Sequence, residues 1–203
     1  GNNNNDVSAL TNIKNIYTND YAFAALKNNG TVFVWGDTNF GGDSSDVTGL
    51  RNVKEIYSTT RAFAAVDDNS NVFVWGNNSA GGDSSDVSTL TNVKEICSND
   101  YVFAALKNDK TVFVWGANHY GGNNADVVDN SNNVKEIYST KRAFAALKED
   151  GTVFVWGDND YGGNSSDVSP DFNGNKITVL SDFTDFNISD LKKEQSNTDG
   201  EEW

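Results

Sequence analysis

Trp35, Trp75, Trp115 and Trp156 each precede a glycine, at intervals of 40, 40 and 41 residues, and most of what surrounds them recurs in the same step. Cut at the Asp-Val pairs, the chain divides into four copies, 6–45, 46–85, 86–125 and 126–166, with a divergent segment from Asp167 onward. A repeat of this length is one supersecondary unit that cannot bury its apolar face alone and is stabilised by stacking on its neighbours. The 203 residues therefore read as one quasi-one-dimensional repeat domain over 1–166, not as two globular domains.

Within a copy, three segments read as strands. Val53-Lys54-Glu55-Ile56-Tyr57 mixes charged and apolar positions, as a strand with one wet face does. Ala62-Phe63-Ala64-Ala65-Val66 is apolar on both faces, and its alanines allow neighbouring layers to approach closely. It is too short and too hemmed in by turns to be a helix. Val72-Phe73-Val74-Trp75 combines β-branched and aromatic residues. The second and third segments are joined by Asn28-Asn29-Gly30, Asn69-Ser70, Asn108-Asp109 and Asp150-Gly151, residues that favour tight hairpins. A polar loop with paired glycines (Gly41-Gly42, Gly81-Gly82, Gly121-Gly122, Gly162-Gly163) follows each tryptophan, and a short fourth strand is expected at Asp-Val. The fold class is thus all-β, a tandem array of three- to four-stranded units of about 40 residues. The four copy tryptophans are expected to pack between repeats and Trp203 to be exposed. Residues 167–191 read as a fifth-copy remnant that caps or closes the array, and 192–203 as a flexible acidic tail.

Charge excludes some partners. A formal net charge of −14 argues against a grip on phosphate backbones or anionic lipid; simple solvation of the surface is the first reading of the acidity, and attraction of cations or basic partners the second. No apolar run approaches the roughly 18 residues of a membrane span, and no signal peptide is visible. A chain that begins at Gly1 and contains no methionine is expected to be a processed product or an excised piece; a secreted or cell-surface setting is slightly favoured. Cys97 stands where other copies have Tyr17, Tyr57 and Tyr138, a packing position. His119 has Asn39, Ser79 and Asp160 as its counterparts and no second ligand at metal spacing. No nucleophile elbow or phosphate loop is present, so no catalytic residue and no organic cofactor is assigned.

Two sets of residues are candidate sites. Asp37, Asn39, Asp43 and Asp46 flank the paired glycines of the first copy, and Asp158, Asp160, Asn164 and Asp167 those of the fourth. Oxygen ligands along a glycine-bent loop suit Ca²⁺, while Asn and Asp are also what turns favour without any metal. The second set alternates: Tyr21, Arg61, Tyr101 and Arg142 occupy one equivalent position, preceded by Asp20, Thr60, Asp100 and Lys141. If equivalent positions are neighbours, each guanidinium should lie within about 6 Å of a tyrosine ring of an adjacent copy. A duplicated two-copy block gives the same alternation without any contact. With the loop aromatics Phe40, Tyr120 and Tyr161, these residues form a candidate interaction face.

The sequence Ala146-Leu147-Lys148-Glu149-Asp150-Gly151-Thr152-Val153, followed by Trp156-Gly157-Asp158-Asn159-Asp160-Tyr161-Gly162, resembles the repeat of the regulator of chromosome condensation family. Asn159 recurs as Asn78 and Asn118, with Thr38 in the first copy. The resemblance implies a β-propeller whose blades are the repeats, although these copies are shorter and fewer than the family's usual seven and lack its Gly-Gln-Leu-Gly ending. Closure into a small ring, half of a dimeric ring, or an open β-solenoid are all compatible with four copies. The family's founding member implies nucleotide exchange on a small GTPase through a wedge-like insertion and chromatin docking through basic surfaces. No copy here has the insertion, and the charge is opposite. The family's ultraviolet-B photoreceptor motif, Gly-Trp-Arg-His-Thr, is also absent. The readings that remain are a non-catalytic scaffold for protein–protein interaction or assembly and an adhesive module that binds glycan with or without Ca²⁺.

Overall fold

The structure, a computed structural model, describes residues 7, 10–127 and 131–164. The segments read as a cap and a tail, with Asp167 and Trp203, lie outside the described residues. The remainder is four three-stranded antiparallel sheets in tandem, one for each copy, a propeller-like array. The strands are β1 (Ile13–Thr18), β2 (Ala22–Lys27), β3 (Val32–Gly36), β4 (Val53–Ser58), β5 (Ala62–Asp67), β6 (Val72–Gly76), β7 (Val93–Ser98), β8 (Val102–Lys107), β9 (Val112–Gly116), β10 (Val134–Ser139), β11 (Ala143–Lys148) and β12 (Val153–Gly157). The apolar second segment of each copy is the central strand, paired on both edges. Its alanines leave room for neighbouring sheets, and all of β5 is buried.

Among the described residues, the fourth strand expected at Asp-Val does not form; the residues around Asp46-Val47 and Asp86-Val87 are turns. Asp43 Oδ1 accepts the backbone N–H and the hydroxyl of Ser45, and the backbone closes on itself through Asp46 N–H to Asp43 O and Leu50 N–H to Val47 O. Such local bonds satisfy groups that a strand ladder would otherwise need. Val47 and Leu50 turn inward and fill the space between the first two sheets.

Three seams join consecutive copies, the first two alike in an indole–glycine hydrogen bond that the buried Trp156 indole N–H of the third does not make among the described residues. At the first, Ala24, Leu26 and Val34 of copy one meet Ile56, Phe63 and Trp75 of copy two. Register puts Phe63 directly across from Trp75, and their rings stack with centroids 5.3 Å apart. The Trp75 indole N–H donates to Gly41 O at 3.2 Å, and Trp115 repeats the bond to Gly81 O at 3.1 Å. A Cβ on Gly41 would lie 2.7 Å from the Phe63 ring, and the residue has φ 101°. The first glycine of each of the first three pairs, Gly41, Gly81 and Gly121, is therefore required both by the backbone and by a ring of the next copy.

Trp75, Trp115 and Trp156 are buried as expected. Trp35 is only half-buried, because no preceding glycine loop among the described residues packs on it. Phe23, its stacked neighbour at 5.0 Å, is likewise exposed. Replacing Trp75 by alanine should cost about 3 to 5 kcal/mol, the range for a buried large aromatic, and Trp35→Ala clearly less. Denaturant unfolding of the two variants checks the difference.

Candidate functional site

A tight corner precedes β2, β5, β8 and β11, and one side chain organises each. Asn19 Oδ1 accepts the backbone N–H groups of Tyr21 and Ala22, while its Nδ2 donates to Phe40 O at 2.8 Å. Asn99 does the same with Tyr101, Val102 and Tyr120 O. In the alternate copies the hydroxyls of Thr59 and Thr140 bond Ala80 O and Tyr161 O at 3.0 and 2.9 Å. Each corner thereby pins the 3-10 turn after its own tryptophan. Thr59 and Asn99 are buried and fully engaged, as buried polar groups must be. Sequence reasoning passed over these four residues, although Asn19, Thr59, Asn99 and Thr140 alternate in the same two-copy period as the residues beside them.

The corners line up along the array. Asp20 N–H donates to Thr60 O, Thr60 N–H to Asp100 O, and Asp100 N–H to Lys141 O, at 3.3, 3.0 and 3.1 Å. That register sets the next residues side by side. Tyr21 and Phe40 lie 4.4 Å apart between ring centroids. The Arg61 guanidinium stands 5.7 Å from Phe40 and 5.8 Å from Tyr101. Tyr101 and Tyr120 are 5.0 Å apart, and Arg142 lies 5.0 Å from Tyr120 and 4.9 Å from Tyr161. The seven residues form one continuous ladder of rings and guanidinium groups through all four copies, within cation–aromatic range at each charged step.

Both guanidinium groups meet a tyrosine ring of an adjacent copy, as expected, but not the equivalent tyrosine in each case. Arg61 meets Tyr101 of the next copy, but Arg142 meets Tyr120 instead of Tyr101. The loop residue decides this: copy two has the small, buried Ala80 where other copies have Phe40, Tyr120 and Tyr161. With no ring at Ala80, Arg61 and Tyr101 touch directly. Elsewhere the loop ring inserts between successive copies.

The ladder residues are partly open to solvent, Tyr21 by 44 % and Tyr161 by 37 %. Carboxylates border it. Arg142 Nη1 is 3.9 Å from Asp158 Oδ2. Burial holds the Asp100 carboxyl above its usual range, and the nearby Lys141 and Arg142 charges oppose that shift.

Three of the residues named as candidate calcium ligands, Asp37, Asp43 and Asp158, use a side-chain oxygen in a turn. Asp37 Oδ1 accepts Asn39 N–H and Asp158 Oδ1 accepts Asp160 N–H, each capping a 3-10 turn. Asp43 is held by Ser45, whose bonds keep its carboxyl below the usual range. Asp46 is raised by burial and by the Asp43 charge. Asn39 and Asp160 are exposed and Asn164 half-buried. Among the described residues, no three His, Cys, Asp or Glu side chains gather as a metal-holding group. Burial pushes the Cys97 thiol up to about 11, far from the reactive thiolate range, and His119 is an exposed residue of a 3-10 turn. Among the described residues no helix is long and apolar enough to cross a membrane.

Comparison with known proteins places this geometry. The family model described as "Regulator of chromosome condensation (RCC1) repeat" matches residues 134–162. No curated protein sequence matches the chain. The chain is similar in fold to yeast RCC1 (Prp20) in its complex with Kap60, with 16 % identity and a TM-score of 0.55 over 73 % of this chain and 44 % of that one. It is similar to Saccharomyces cerevisiae Prp20p in a study that includes its binding to Gsp1p and histones, with 19 % identity and a TM-score of 0.53 over 74 % and 47 %. The ectodomain of the Arabidopsis thaliana receptor kinase ACR4 gives 15 % identity and a TM-score of 0.50 over 71 % and 55 %. The chain thus spans less than half the length of the two yeast structures.

The Arg61–Tyr101 contact gives a sharp test of the ladder. A double-mutant cycle on the two residues should show coupling of about 0.5 to 1 kcal/mol, the value for a partly exposed cation–aromatic pair. Coupling near zero in urea unfolding would leave the alternation as a relic of duplication.

Proposed function

Because the chain carries repeats of the regulator of chromosome condensation type, we propose that it is a non-catalytic scaffold that binds a protein partner along the ladder from Tyr21 to Tyr161. The observation that carries this reading is the ladder's continuity: seven partly open aromatic and guanidinium groups, held in register by hydrogen-bonded corners. Tyrosine and arginine are the residues that dominate protein interfaces, because each offers a large contact area at modest entropic cost. Here that cost is already met, since each guanidinium is sandwiched before any partner arrives.

The border of the ladder narrows the partner. Asp20, Asp37, Asp100 and Asp158 flank it, within a chain of formal net charge −14. A basic protein segment with aromatic or aliphatic side chains fits this chemistry, the bases meeting the carboxylates and the apolar groups lying on the rings. The yeast neighbours supply a parallel, since Prp20p is described with Kap60, Gsp1p and histones. The shared fold supports protein binding in general and names no partner for this chain. Nucleotide exchange on a small GTPase is the weaker reading, as none of the copies has room in its 40 or 41 residues for a wedge-like insertion.

An array of basic–aromatic peptides, with acidic peptides and a glycan array alongside, tests the proposal. Wild-type protein should retain basic peptides, and Tyr120→Ala should weaken them by about 2 kcal/mol, roughly thirtyfold, as truncation of a central interface ring does. Equal retention by wild type and Tyr120→Ala would oppose it. Capture on glycans alone would favour the adhesive reading, in which exposed rings such as Tyr21 and Tyr161 stack on sugar.

Calcium at the loops of copies one and four is tested separately. A bound ion would raise the melting temperature by mass action, and Asp158→Ala with Asp160→Ala would reduce the gain. Turn capping alone predicts the same melting curve in Ca²⁺ and in EDTA.

A further inference from the structure

Each of the three seams has two halves. The later copy supplies a knob: Phe63 and Trp75 at the first seam, Phe103 and Trp115 at the second, Phe144 and Trp156 at the third, all buried. The earlier copy supplies a socket, made of its inward alanine, leucine and valine side chains and the first glycine of its pair. Copy one has a knob with nothing on it among the described residues: Ile16 is 57 % and Phe23 42 % exposed, and Trp35 is half-buried. The equivalents Ile56 and Ile96 are buried.

Copy four has the opposite. Ala145, Leu147, Val153 and Val155 are only half-buried, where copies two and three bury every equivalent. A Cβ on Gly41 or Gly81 would strike the next copy's phenylalanine at 2.7 Å, and one on Gly121 would meet Trp156 at 2.9 Å, yet none of the described residues comes within 4 Å of the same point on Gly162. The hairpin tip repeats the pattern. A Cβ on Gly30 would lie 2.8 Å from the Asn52 backbone, whereas none of the described residues comes within 4 Å of the same point on Gly151. Among the described residues, nothing fills the socket at the end of the array or covers the knob at its start.

We propose that the knob face of copy one seats in the socket face of copy four of a second copy of this chain, head to tail. This goes beyond the scaffold reading and does not depend on it. The occupant follows from continuity with interfaces this chain already makes three times, since the two open faces carry the halves that pair at every internal seam. The edge bonds extend in the same way. Val53 N–H donates to Gly30 O and Val134 N–H to Lys110 O, each at 3.0 Å, so Ile13 N–H of the second copy has Gly151 O as its counterpart. Ser58 and Ser139 hydroxyls donate to Thr18 O and Ser98 O at 2.8 and 2.7 Å, which pairs Thr18 of the second copy with Ser139.

Phase supports the same joint. Copies alternate Tyr21, Arg61, Tyr101, Arg142, and a head-to-tail joint places Tyr21 next after Arg142 and Tyr161, so the alternation runs on unbroken. It also brings Asp20 beside Lys141, as Asp100 already is. The ladder is therefore extended by the partner copy. Such a contact is heterologous, using different patches on the two chains.

Light scattering and sedimentation equilibrium of the full 22.0 kDa chain test the proposal, with Ile16→Asp on the knob face and Leu147→Asp on the socket face. Wild type should associate with rising concentration. Each variant should associate at least about tenfold more weakly, because a carboxylate would be buried without a partner. An equimolar mixture of the two variants should form a heterodimer, since each retains the half that the other lacks. Ile16 is exposed, so its substitution leaves the fold intact, and Val153→Asp replaces Leu147→Asp if circular dichroism shows the latter unfolded. A wild type that stays monomeric, an Ile16→Asp protein that associates like wild type, or folded variants that fail to pair when mixed would each overturn the proposal.

Discussion

The array depends on one contact, an indole of one copy laid on the glycine loop of the copy before it. Trp75 and Trp115 donate their indole N–H to Gly41 O and Gly81 O while their faces stack on Phe63 and Phe103. Each contact joins a loop to a sheet some 34 residues further along the chain, so it fixes the spacing of copies as well as their burial. The repeat length, the Trp-Gly pair and the paired glycines are three expressions of this contact. A copy alone would leave phenylalanine and tryptophan in water, as copy one partly does, which is why such units fold as arrays.

Much of this was legible in the sequence because the determinants are local and repeated. Alternating Val-Lys-Glu-Ile-Tyr, the apolar Ala-Phe-Ala-Ala segment and the aromatic strand before Gly76 each form the strand that their pattern implies. Asp-Val misled, because a valine between polar residues reads as a strand edge, while the Asp43 cap on Ser45 and the i to i+3 bonds that decide its conformation are side-chain choices with no period of two. Trp35 misled for a different reason. Its motif is identical to the others, and only its place in the array leaves it half-exposed.

The site was half legible. The alternation of Tyr21, Arg61, Tyr101 and Arg142 pointed to a stack, and the stack is present. The insertion of Phe40, Tyr120 and Tyr161 between its members depends on how each loop folds back onto Asn19, Asn99 or Thr140, a contact across 21 residues that no local pattern states. Ala80 is informative in retrospect, since the one copy without a loop ring is the one whose arginine reaches the next tyrosine directly. The carboxylates of the same loops are mostly turn caps, an ordinary duty for Asp before a 3-10 turn, and their density in the sequence reflects how many such turns the array needs.

The contact of indole on glycine is tested most directly by comparing Gly81→Ala with Gly162→Ala at concentrations where the chain is monomeric. The two glycines share a backbone conformation, φ 93° and 92°, and differ in what lies above them: the Phe103 ring 2.7 Å from a new Cβ at Gly81, and no described residue within 4 Å at Gly162. Both substitutions incur backbone strain of about 1 to 2 kcal/mol. Overpacking against the next copy should add about 1 to 3 kcal/mol at Gly81 alone. A clearly larger loss of unfolding free energy for Gly81→Ala is the predicted result, and equal losses at the two positions would contradict the account.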